Sequence, residues 1–137
     1  MSNNPLIYTP DGEGSLALET DAFVEAAFSR WPGAEVVWTS EDPDDPVDVT
    51  LRVQDPGDTH HFQIFHARAL DSVWSDGNES QVLRVAQWIR AAVPDKDKRV
   101  VLLDPVMWVA AVVQPGMTED EILAAWTAEP PMPTEGP

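Results

Sequence analysis

The chain reads as an α+β domain, a mostly antiparallel sheet with helices packed on one face, in the order β-α-β-β-β-α-β-β-α. Three observations predict it. Apolar and polar residues alternate over Val47–Val53 and again over His60–Ala69, with a turn between them. Apolar residues recur at helical spacing over Thr20–Trp31 and over Glu79–Val93. Two more apolar runs, Arg99–Asp104 and Met107–Gln114, are parted only by a break at Pro105.

Pro5–Thr9 is a short strand ahead of the turn-forming Pro10–Gly14. In the first helix Phe23, Val24, Ala27, Phe28 and Trp31 share a stripe, Thr20 or Asp21 can cap it, and Pro32-Gly33 ends it. Ala34–Ser40, rich in β-branched and aromatic residues, is the next strand. The acidic loop that follows leads into Val47–Val53, where Asp48, Thr50 and Arg52 take the wet face. Asp55–Asp58 turns the chain into His60–Ala69, giving an antiparallel hairpin. After the break at Ser75–Asn78, Val82, Val85, Ala86, Ile89 and Val93 form the buried arc of the second helix, with Asn78 and Gln81 at capping-box spacing. Val100–Leu103 is a buried strand, and Met107–Gln114 is its antiparallel neighbour. Thr118 and Glu121 open a last helix carrying Ile122, Leu123 and Trp126.

Length and composition indicate one domain over residues 1–127 and a disordered proline-rich tail over 128–137. A hydrophobic share of 43% and six tryptophans separate the chain from disordered acidic polymers. The absence of cysteine excludes disulfides, thiolate metal sites and a cysteine nucleophile. The longest apolar stretches fall far short of the roughly 20 residues of a membrane helix. With no basic, apolar leader in Met1–Pro5, the expected location is the cytoplasm.

Charge is the dominant feature. Residues 1–67 hold thirteen acids against Arg30 and Arg52, and residues 68–137 hold eleven against six bases, so −11 and −5 make the net −16. The densest run is Glu41-Asp42-Pro43-Asp44-Asp45-Pro46-Val47-Asp48. Such a field repels nucleic acid and anionic membranes and steers basic proteins inward.

Signals for chemistry are sparse. His60, His61 and His66 lie on or beside one strand, and His60 and His66, about 20 Å apart at roughly 3.3 Å per residue, cannot share a metal. His61 with Asp58, or His66 with a neighbouring carboxylate, stays open; surface or strand-end histidines are the default. No Gly-x-Ser-x-Gly motif and no glycine-rich phosphate loop occur. Asp42–Asp48 fails the calcium-loop register, because Pro46 replaces a ligand and no glycine follows. The expectation is a protein without catalytic residues, metal or cofactor.

The expected binding residues are Trp38, Glu41, Asp42, Asp44, Asp45, Asp48, Trp74 and Trp88: an aromatic strand end beside a stiff row of carboxylates, plus two tryptophans at the margin of the core. Trp31 and Trp126 belong to apolar stripes, while Trp38 and Trp108 lie in strands and can face either way. Arg84, Arg90, Lys96, Lys98 and Arg99 neutralise nearby acids or bind an anion.

The runs Val73-Trp74-Ser75-Asp76-Gly77, Val85-Ala86-Gln87-Trp88-Ile89-Arg90, Leu102-Leu103-Asp104 and Gln114-Pro115-Gly116-Met117-Thr118-Glu119 resemble a group of small acidic actinobacterial proteins. Their encoded neighbours often include secreted polymorphic toxins or components of specialised secretion systems. The resemblance covers about residues 70–126, leaves the acidic loop outside, and transfers no functional residue. It implies an immunity protein or a secretion partner. The leading expectation is therefore an acidic module that occludes the cationic active site of a toxin or secreted effector. A secretion chaperone or adaptor binding through exposed aromatics, and a nucleic-acid mimic, are the alternatives; a small enzyme using His61 or His66 comes last.

Overall fold

In a computed structural model, residues 4–10, 16–38 and 43–128 are described. They form a seven-stranded antiparallel sheet with three helices, an α+β domain. The elements are β1 (Leu6–Tyr8), α1 (Thr20–Arg30), β2 (Glu35–Trp38), β3 (Val47–Val53), β4 (Phe62–Ala67), β5 (Ser72–Ser75), α2 (Glu79–Ala92), β6 (Val100–Asp104), β7 (Val109–Val113) and α3 (Glu119–Ala128). The expected order holds, and one short strand, β5, joins it where the sequence suggested only a run-up to a turn. The sheet order is β2-β3-β4-β5-β1-β6-β7, so β1 is inserted between β5 and β6. The proline-rich tail from residue 129 onward lies outside the described residues.

One sheet face meets all three helices. In register across it run Trp38, Val49, His66, Val73, Ile7, Leu102 and Ala111. Against this layer pack Phe23 and Ala27 of α1, Val82, Val85, Ala86 and Ile89 of α2, and Ile122 and Trp126 of α3. Full burial of each large side chain contributes on the order of 1.5–3 kcal/mol. A chain of rings, Phe62–Trp31–Trp88–Phe23–His66, knits α1 and α2 to the sheet with centroid separations of 4.6–6.3 Å. The opposite face has no helix on it. Its central row is Val37, Thr50, Phe65, Trp74, Leu6, Leu103 and Ala110, with Phe65 and Trp74 stacked at 5.9 Å.

Helix termini follow the sequence in α2 and α3. Asn78 and Gln81 exchange side-chain and backbone hydrogen bonds, and Thr118 and Glu121 do the same. Gly77 permits the first of these boxes, because a Cβ there would stand 2.8 Å from Gln81 Cβ. At α1 the expectation of a Thr20 or Asp21 cap fails. Glu19 is the N-cap residue without a side-chain bond, and the Thr20 hydroxyl donates to Asp48 instead. Phe28, placed on the buried stripe by periodicity, is exposed, because the stripe is centred on Phe23 and Ala27.

Candidate functional site: an acidic end and its groove

Strand directions assign every loop to one of two ends. The connections β1–α1, β2–β3, β4–β5, α2–β6 and β7–α3 share one end. Glu19, Asp21, Asp44, Asp45, Asp71, Asp95, Asp97 and the Glu119–Glu121 run are there together with the bases Arg68, Lys96, Lys98 and Arg99, while Glu35, Asp55, Asp58, Asp76 and Asp104 lie at the other end, so this end has an excess of acids rather than all of them. Sequence placement alone could not show this, because these acids come from four separate connections and the first turns of α1 and α3.

At that end, on the helix-free face, lies a groove of about 510 Å³. Pro43, Pro46, Ala67, Ala69 and Trp74 provide apolar walls, and Asp44, Asp45, Asp71 and Arg68 provide charge. Two sets of hydrogen bonds fix the segment entering β3. The Asp45 carboxylate accepts from Val47 N at 2.9 Å, and Arg68 donates to the carbonyls of Asp45 (2.8 Å) and Val47 (3.3 Å). Arg68 is thus the local counter-charge, and the segment 43–47 is supported by these bonds. A lysine or arginine stem would lie on the Trp74 ring with its head among the carboxylates.

The structure brings Asp44, Asp45 and Trp74 together and puts Trp38 at the strand end leading into the same loop, 57% exposed. Glu41 and Asp42 lie outside the described residues. Asp48 and Trp88 are elsewhere. The β3–β4 register shifts between Val47 and Val49, and this bulge turns Asp48 off the wet face expected for it and under α1. There its two oxygens accept from Thr20 Oγ1 at 2.6 Å and pair with His66 Nδ1 at 2.7 Å. His66 Nε2 meets the Leu18 carbonyl at 2.8 Å. Both ring nitrogens therefore face acceptors, a carboxylate on one side and a carbonyl on the other. Burial pushes the Asp48 carboxyl up, but the Thr20 and His66 hydrogen bonds and the His66 charge outweigh it and hold the group below its ordinary 3.8. Trp88, half-buried, belongs to the ring chain between Trp31 and Phe23.

The default of surface histidines is wrong for His66, which is 0% exposed. Its alternation with Phe62 and Ile64 was the available signal. With both nitrogens engaged by Asp48 and Leu18, the ring has no free position for a substrate or metal. The pairing of His61 with Asp58 is not formed. Asp58 is held by Gln81 and Arg84 at 3.2 Å each, and these with the Asp55 backbone N–H overcome burial to keep it below its ordinary value. Asp55 beside it accepts from Arg30 and Trp31 at 2.9 Å. Asp55 Oδ2 and Arg84 Nε lack an aligned hydrogen bond, yet face each other at 3.4 Å as mutual counter-charges. Arg84 therefore neutralises acids, as one of its two expected roles required. Arg90 instead clasps the carbonyls of Asp95 and Lys98, its basicity lowered by burial against the opposing field of Asp95. Among the described residues, no group of three or more His, Asp or Glu could hold a metal ion.

The β6–β7 turn falls at the Pro105 break read from the sequence but is longer than expected. Trp108 and Met107, expected in the strand, sit with Val106 on an exposed tip, and Trp108 takes φ 57°. Asp104 builds this turn, its carboxylate accepting from Val106 N (2.9 Å) and Met107 N (3.1 Å) and its carbonyl from Trp108 N (2.7 Å). Asp104-Pro105 was the legible signal. No protein-family model matches the chain, and no curated protein or solved structure matches it either. Among the described residues no helix is long and apolar enough to cross a membrane.

Proposed function

We propose that this chain is an acidic protein-binding module for a basic partner, acting in the cytoplasm as an immunity protein that occludes the cationic active site of a cognate toxin. One observation carries the reading: Asp44 and Asp45 of the β2–β3 connection and Asp71 of the β4–β5 connection line one groove with Trp74, against the single base Arg68. A concentrated field raises the association rate with a basic surface, and a preformed groove fixes where a basic side chain comes to rest. The deciding experiment pairs the chain with a toxin encoded beside it and measures growth protection and association rate. The triple variant Asp44→Asn, Asp45→Asn, Asp71→Asn keeps the Asp45 acceptor for Val47 and removes three charges. It should bind about tenfold more slowly at low salt, with the difference fading in high salt. Undiminished protection and an unchanged rate would overturn the reading.

A second reading, a secretion chaperone or adaptor, is favoured by the Val106–Trp108 tip at the opposite end of the sheet. Under it, Trp108→Ala weakens binding and salt has little effect.

A further inference from the structure

We propose that β2 is a docking edge at which an extended segment of the basic partner adds an eighth strand to the sheet. The inference rests on the reading of the acidic end and names what the partner contributes there.

β2 closes one side of the sheet and pairs only with β3. Among the described residues nothing else bonds the backbone of Glu35–Trp38. The outward N–H and C=O groups of an edge strand are a template for another chain. Of the devices that blunt such edges, β2 has its short length and the charge of Glu35, but Glu35-Val36-Val37-Trp38 carries no lysine, proline or bulge. Val36 packs against the core, but the two apolar side chains after it are exposed, one on each face. Val37, on the helix-free face, is 55% exposed, and Trp38 projects on the helix side past the cover that α1 gives β3. A strand laid alongside would cover both at once. The opposite edge differs: in β7, Ala110, Ala111 and Val113 are already buried and α3 packs against the strand.

Charge selects the occupant. A second copy laid antiparallel would bring Glu35 of each chain against the acidic loop of the other, between molecules of net charge −16. A segment with lysine or arginine at alternate positions meets no such repulsion. Glu35 holds Arg52 only loosely, at 4.0 Å between exposed side chains, and can take a second cation. Past Trp38, the same segment points to the end of the sheet where Asp44 and Asp45 lie. Apolar residues between its basic ones lie beside Val37 and Trp38.

The test is amide hydrogen exchange by NMR with two synthetic peptides, one alternating Lys and Val, the other Glu and Val. The Lys–Val peptide should slow the outward amides of β2 at least about tenfold, and less so as salt is raised. Successive N–H groups of a strand point to opposite sides, so one of Val36→Pro and Val37→Pro removes an outward donor and the other a bond to β3. The residue whose amide exchanges quickly in the free protein identifies the first, and that variant should stay folded and lose the protection. Unchanged β2 exchange with shifts confined to Asp44, Asp45 and Trp74 would overturn the docking edge while leaving the basic-partner reading intact. Equal protection by the Glu–Val peptide, or a dimer formed through β2 without any peptide, would overturn the choice of occupant.

Discussion

Asp48→Asn is the substitution that separates a structural carboxylate from the docking acids beside it. Asp48 receives two donors, Thr20 Oγ1 and His66 Nδ1, and the His66 ring is fully buried. An asparagine keeps one acceptor oxygen, turns an N–H₂ toward the other donor and removes the carboxylate charge facing the His66 ring. A hydrogen bond to a charged group contributes about 1.5–3 kcal/mol, and the upper end applies here because the Asp48 side chain is only 13% exposed. At about 3 kcal/mol the midpoint of thermal unfolding should fall by roughly 10 °C for a domain of this size. Asp71→Asn, on the same acidic end but exposed, should change stability by no more than about 0.5 kcal/mol. Urea and thermal unfolding followed by tryptophan fluorescence measure both. A pH series adds a signed check. The folded carboxyl titrates below its ordinary 3.8, so its stabilisation is complete above about that pH and is lost as pH falls through the lower folded value. The gap between wild type and Asp48→Asn should therefore be full near neutrality and narrow in strong acid. Equal stability of Asp48→Asn and Asp71→Asn, or a gap that widens in acid, would refute the assignment of Asp48 to the interior.

Gly77→Ala should destabilise by about 1–3 kcal/mol, since the new methyl would press on Gln81 at 2.8 Å and on Phe62 at 3.1 Å and displace the α2 capping box; chemical denaturation reads this directly. Trp108→Asn should stabilise by about 0.5–1 kcal/mol, because asparagine tolerates the left-handed backbone that the half-exposed tryptophan now occupies at φ 57°. A melting point lowered by that change would show that Trp108 packs into the turn.

Local patterns were legible because their causes are local. Alternation follows from the pleat and appears over Val49–Val53 and over Phe62–Ala67, inside the wider His60–Ala69 expected from the sequence, and the stripe of α2 follows from the helical repeat. The reciprocal caps of α2 and α3 span three residues and needed no tertiary information. Trp74 and the Asp44–Asp45 pair were singled out by type and spacing, and they do share a groove. Their meeting with Asp71 is a product of the β4–β5 turn folding back beside the loop.

Long-range pairing decided the rest. The bulge in β3 exists only against β4, and that one extra residue moves Asp48 from the wet face to a buried partner, since side chains on a strand change face with every residue. Strand β5 is too short to show a period and is defined by β4 and β1 on either side of it. Whether a tryptophan is core or surface depended on cover: Trp88 is held between rings from α1, whereas Trp38 stands in the row of His66 and Ile7 yet lies beyond the reach of the helix layer. Composition made the chain acidic; the antiparallel course of its strands, by returning the β2–β3 and β4–β5 connections to one end, set Asp44, Asp45 and Asp71 around one groove.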